Sequence, residues 1–126
     1  MSELGSTIKV EVITEYIEEQ SSPKEERYLF RYTITIINLG QAAVTLESRH
    51  WRITDANDHK SEVQGAGVVG ETPRIEPDTA YQYTSGTVLE TPLGVMQGTY
   101  TMVTDDGEQF QATIHPFRLS VPGLLH

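Results

Sequence analysis

Residues 63–73 read VQGAGVVGETP, and within them Gly65, Gly67 and Gly70 take the spacing G-x-G-x-x-G. The fold turns on how this stretch is read. As a dinucleotide-binding turn it implies an α/β protein, with a buried strand before it, a helix N-terminus after it to receive pyrophosphate, and an acidic residue about 20 positions on for the ribose. As a connection between strands it implies only that glycine supplies positive φ or lets another backbone come close. The flanks favour the second reading. Upstream, DANDHKSE (Asp55 to Glu62) is a run of turn-formers and charges rather than a Val/Ile-rich central strand. Downstream, Pro73 and Pro77 follow too closely for a helix to open at Gly70, because proline lacks the N–H donor and holds its predecessor extended. No Lys-Ser/Thr pair follows the glycines, so the stretch does not make a P-loop either.

Working outward, period-two alternation recurs. Ile8, Val10 and Val12 alternate with Lys9 and Glu11, and Tyr28, Phe30, Tyr32, Ile34 and Ile36 alternate mostly with Arg31, Thr33 and Thr35. Both segments predict half-buried strands. Further strands are expected at Val44 and Leu46, near Tyr81 and Tyr83, at TVLE (Thr87 to Glu90), TYTMVT (Thr99 to Thr104), QFQATI (Gln109 to Ile114) and FRLSV (Phe117 to Val121). No amphipathic helix interrupts them. NLGQ (Asn38 to Gln41) separates the second strand from the third, EEQSSPKEER (Glu18 to Arg27) reads as a solvated connection, and Asp106-Gly107 predicts a hairpin with a type I′ turn. Apolar parity runs even at Val44 and Leu46 and odd at Trp51 and Ile53, so a one-residue bulge is expected across ESRH (Glu47 to His50). The same flip from Ile114 to Phe117, with Pro116 between, predicts a kink or a change of sheet.

Seven to eight short antiparallel strands with regular turns predict an all-β protein, a sandwich of immunoglobulin-like or fibronectin type III-like kind. GTYTM (Gly98 to Met102) supports this reading. Tyr100 stands two residues before a core position, Met102, as a corner tyrosine does when its hydroxyl bonds back to the backbone, and Trp51 is the expected core aromatic.

At 126 residues the chain, 1–126, fits a single domain. It has no cysteine, which removes disulfides and thiolate metal sites and suits a reducing cytoplasm. The start, MSELGSTIKV, has neither a basic n-region nor a long apolar run, so no secretory signal and no membrane span are expected, and the localisation predicted is cytoplasmic. Nine Lys+Arg against eighteen Asp+Glu give a net charge of -9, which repels phosphate backbones, so nucleic acid is not expected as a ligand.

Signals for chemistry are sparse. His50, His59, His115 and His126 form no local ligand pair, so a transition-metal site would have to be assembled by the fold. Carboxylates gather at Glu15, Glu18 and Glu19 and at Asp105, Asp106 and Glu108 without the calcium-loop pattern; weak divalent-cation attraction is all they imply. Ser48-Arg49-His50 is not assigned as a dyad, because proximity in sequence does not by itself bring a hydroxyl within hydrogen-bond reach of an imidazole. No catalytic residue, no resident metal ligand and no cofactor are assigned.

From YIEEQSSP (Tyr16 to Pro23) through TITIINLG, HWRITDAN, VQGAGVVGETPRIEP and YQYTSGTVLETPLGVMQGTY to PFRLSVPGLLH, nearly the whole chain resembles the ApaG family. The resemblance implies an immunoglobulin-like or fibronectin type III-like sandwich and a stand-alone bacterial protein linked to cobalt and magnesium tolerance. Related domains occur in eukaryotic F-box and polymerase-interacting proteins, which implies a protein-binding module. The chain departs from the family at Ala66, where the loop usually carries an acidic residue, at Pro77-Asp78, where Pro-Gly is usual, and at Ile114-His115-Pro116-Phe117, where the proline is displaced. The function expected is therefore a non-catalytic module for a protein partner. Its binding candidates are Gly65, Gly67, Val68, Val69, Gly70 and Glu71 on one loop and Leu93, Val95 and Met96 on another (Glu90 to Met96), both at one end of the sandwich. The alternatives are a carboxylate-based divalent-cation binder and a pyrophosphate or nucleotide binder at Gly65 to Gly70.

Overall fold

The computed structural model describes residues 3–123. Its strands are β1 (Ile8–Tyr16), β2 (Tyr28–Asn38), β3 (Val44–Asp55), β4 (Lys60–Ala66), β5 (Arg74–Ile75), β6 (Ala80–Leu89), β7 (Leu93–Thr104) and β8 (Gln109–Ser120). They form two antiparallel sheets, β1-β2-β6 and β4-β3-β7-β8, with β5 paired to the start of β3. Helical structure among the described residues is confined to short 3-10 turns, two of them within the expected connection between β1 and β2. The two sheets stack as a β-sandwich, and the strand order matches the A-B-E and C′-C-F-G arrangement of immunoglobulin-type folds.

The core lies where the alternation places it. Phe30, Tyr32, Ile34 and Ile36 of β2 meet Leu46, Trp51, Met96, Tyr100 and Met102 of the facing sheet, all buried. Trp51 packs edge-on against Tyr32 (5.6 Å between centroids), Phe117 (5.9 Å) and Tyr100 (6.3 Å). Asn38 closes one end. Fully buried, it donates to Ala42 O at 2.9 Å and Ile75 O at 3.0 Å and accepts the Gly40 N–H at 2.9 Å, so its amide ties the NLGQ turn to β5 with nothing left unpaired.

Both parity flips are bulges. The β3–β7 register slips between Leu46 and Ser48, so Glu47 is the extra residue. The β7–β8 register slips where Ile114 and Phe117 oppose Gly98 and Met96. Here β8 does not change sheet; QFQATI and FRLSV are one strand running through Pro116, because β8 is an edge strand and a bulge absorbs the missing donor. Gly98 sits at this slip with its Cα against β3, where a Cβ would lie 2.0 Å from His50 O.

Several expectations are corrected. Tyr81, Tyr83 and TVLE belong to one strand, β6. Strand β4 was not expected at all, since its residues are exposed or half-buried and leave no apolar alternation to read. The β7–β8 hairpin is not a two-residue type I′ turn. Gly107 alone has positive φ (90°), and Thr104 and Glu108 flank a three-residue loop, a turn followed by a left-handed glycine. At Pro77-Asp78 the aspartate adopts φ 60°, the left-handed backbone that glycine would supply. Finally, the Tyr100 hydroxyl bonds to the Tyr83 hydroxyl of the opposite sheet, not to backbone. Burial pushes both phenols above their ordinary value, more strongly at Tyr100.

Candidate functional site

The glycine stretch resolves into the end of a strand and a tight turn. Gly65 is the penultimate residue of β4, opposite Arg49. Val68 and Glu71 exchange both backbone hydrogen bonds, at 2.8 and 2.9 Å, around Val69 (φ 47°) and Gly70 (φ 78°). Positive φ at both central positions is the signature of a type I′ turn. Valine is a poor occupant of the first of them, because its branched Cβ crowds the backbone there. Val68 is fully buried and anchors the turn on the core, while Val69 is 61% exposed at its tip. Gly67 (φ 58°) donates its N–H to Glu47 O at 2.7 Å. The Arg49 guanidinium reaches back to Ala66 O (3.1 Å) and Gly67 O (3.0 Å), so the cation beside the loop is held by carbonyls. The segment continues into β5 rather than a helix, so no helix N-terminus stands behind the glycines.

The second expected loop is not a loop. Leu93, Gly94, Val95 and Met96 open β7, and Met96 is a core residue. Close backbone approach permits this, since a Cβ at Gly94 would lie 2.6 Å from Leu89 Cδ1 and 2.9 Å from Thr54 O. Nor do the two segments share one end of the sandwich. The glycine turn leaves β4 where Ala66 pairs Ser48, whereas Gly94 pairs Asp55, seven positions further along β3. At about 3.3 Å per residue that is roughly 23 Å.

What lies near Leu89 and Glu90 is a groove of about 590 Å³ between the free edges of the two sheets. Among the described residues β4 pairs only with β3 and β6 only with β2, so each offers an unpaired edge on this side. Ile53, Val63, Val88 and Leu89 give the groove apolar walls, and Val63 and Val88 are exposed. Asp55, His59 and Glu90 close one end of it, their ligand atoms all within 4.8 Å of one another.

Each carboxylate run noted in the sequence has one member in an ion pair. Glu15 is held by Arg31, and Asp105 by Arg74, which also binds Glu76 at 2.7 Å. The Arg74 guanidinium holds the Asp105 carboxyl below the usual carboxylate range. His50 Nε2 meets Glu62 Oε1 at 3.0 Å across β3 and β4. His115 is exposed at the β8 bulge, and His126 lies outside the described residues. The Asp55–His59–Glu90 group had no sequence signature beyond a turn, because Glu90 joins it from another loop.

The model of the ApaG domain family matches residues 18–104. Protein ApaG of Shewanella sediminis is 76% identical over 126 residues, 100% of each chain. The X-ray structure of a structural-genomics target superposes with a TM-score of 0.93 at 71% identity, covering 98% of this chain and 93% of that one. A crystal structure of a Bordetella pertussis protein described as ApaA superposes with a TM-score of 0.89 at 42% identity, covering 92% of this chain and 94% of that one.

Proposed function

This chain belongs to the ApaG domain family, and on that premise we propose that it is a non-catalytic binding module that receives a protein partner along the β4–β6 groove. The observation that carries the reading is the pair of unpaired strand edges flanking an apolar cleft. An extended segment of a partner can add to such an edge, its backbone completing the ladder and alternate side chains entering the cleft. Along β4 the register supports this. Val63 pairs Trp51 and so sits on the inner side facing the groove, while Lys60 and Glu62 place charges on the edge, as unpartnered edges do to avoid indiscriminate pairing.

The test uses groove substitutions that spare the core. Val63→Glu and Val88→Glu are compared with Val69→Asp at the distant turn in affinity capture from lysate. Loss of the same captured protein with both groove variants, and retention with Val69→Asp, is expected. Undiminished capture by both groove variants, with unchanged melting temperatures, removes the groove from the reading.

A further inference from the structure

We propose that Asp55, His59 and Glu90 form a binding site for a divalent first-row transition-metal ion of the zinc or nickel class at the end of the groove. The β3–β4 turn folds back on Asp55, whose Oδ1 accepts the N–H groups of Asn57 at 2.8 Å and His59 at 3.0 Å. The backbone N–H of Asp55 in turn donates to His59 O at 3.0 Å. The carboxylate is thus fixed, and its side chain is only 8% exposed. Its second oxygen, Oδ2, has no hydrogen-bond donor among the described residues and faces His59 Nδ1 at 3.9 Å. No buried side-chain oxygen among the described residues lacks a partner, so Oδ2 is open to solvent and accessible to a cation.

The third ligand is brought in by Thr91. Buried, its hydroxyl accepts the Ala56 N–H at 3.0 Å and donates to Leu93 O at 2.7 Å, which ties the β6–β7 loop to the β3–β4 turn. The preceding residue, Glu90, consequently presents Oε1 3.9 Å from the same His59 Nδ1. Tetrahedral ligands around a metal at 2.0–2.2 Å stand roughly 3.3–3.6 Å apart, so closing a triangle whose sides are at most 4.8 Å needs movements of up to about 1.5 Å. His59 and Glu90 are exposed side chains free to make them, while Asp55 is the fixed point. Lys60, the nearest cation in sequence, turns its Nζ to Asp58 at 3.2 Å and leaves the site open. One imidazole nitrogen with two carboxylate oxygens selects zinc or nickel over magnesium or calcium, which favour all-oxygen shells. Three protein ligands also leave a coordination position facing the groove.

The experiment titrates isotope-labelled protein with zinc chloride and, separately, magnesium chloride, following backbone amides and histidine rings by NMR. Zinc is expected to give saturable one-to-one shifts at residues 55–59, at 90–91 and on the His59 ring, with no saturable change from magnesium. H59Q and E90Q are each expected to weaken zinc binding tenfold or more, given that removing even outer-shell partners costs 10–100-fold. Both keep the Asp55 and Thr91 hydrogen bonds, and thermal melting without metal verifies that they fold. His50→Gln is expected to leave zinc binding unchanged. Shifts centred on His50 and Glu62 or on His115, wild-type affinity in H59Q and E90Q, or equal affinity for magnesium each overturns the assignment.

Discussion

Adding one methyl group at Gly67 or at Gly70 separates two roles that a glycine can have in the same short stretch. At Gly70 the backbone has φ 78° and a Cβ would meet nothing within 4 Å, so Gly70→Ala carries only the left-handed penalty, about 1–2 kcal/mol. At Gly67 the backbone is also left-handed, φ 58°, but the Cβ would lie 2.0 Å from Glu71 O and 2.8 Å from its carbonyl carbon. Those atoms are backbone and cannot rotate away, so the Val68–Glu71 pair must open. Losing its two hydrogen bonds, at about 0.5–1.5 kcal/mol net each, brings the expected cost of Gly67→Ala to about 2–5 kcal/mol. Val69→Asn should move in the opposite direction by up to about 1 kcal/mol, since Asn-Gly suits a type I′ turn and relieves a branched residue at φ 47°. Gly65→Ala falls below Gly67→Ala, because its Cβ meets the far end of the Arg49 side chain at 2.8 Å rather than backbone, at the expense of that guanidinium's bonds to Ala66 O and Gly67 O. Urea unfolding followed through the emission of Trp51, with the slope against denaturant checked for constancy, measures all four. Equal costs for Gly67→Ala and Gly70→Ala, or destabilisation by Val69→Asn, would refute the turn assignment.

Removing either member of the Tyr83–Tyr100 hydroxyl pair leaves the other buried and unpaired, so each Phe variant should lose about 1–3 kcal/mol and the double variant less than the sum of the two. The pair also sets an alkaline limit. Burial raises both phenols, so the stability they contribute is fully present below the unfolded value of 10.0 and is lost as pH climbs toward the folded values. Above about pH 10 the wild type should lose roughly 2.7 kcal/mol per pH unit from the two phenols and Tyr83→Phe roughly 1.4, which urea melts between about pH 9 and 11.5 will show or contradict by identical slopes. Trp51→Ala should cost about 3–5 kcal/mol by opening a cavity among Tyr32, Tyr100 and Phe117. A native emission that is red-shifted and readily quenched in the wild type would contradict the burial behind that figure.

The amino-acid sequence by itself determined the all-β class, the buried face of β2, and the positions of both parity breaks, the first of them as a bulge. Side-chain direction along a strand alternates with a period of two, so Phe30 to Ile36 declare their face locally, and a parity break such as Leu46 to Trp51 can be satisfied in only a few ways. It likewise excluded a helix after Gly70, since Pro73 and Pro77 act on their immediate neighbours. The tertiary structure alone decided what depends on partners distant in the chain. Strand β4 was invisible because an edge strand, solvated on both sides, has no apolar rhythm to reveal it. Leu93 to Met96 resembled a loop because PLG is turn-forming in isolation, yet pairing with Arg118 to Ser120 and with Thr54 and Asp55 extends β7 through them. The Tyr83 hydroxyl on Tyr100 and the convergence of Asp55 with His59 and Glu90 each require two segments to be placed side by side by sheet register and sandwich closure. No spacing within a single segment encodes that placement.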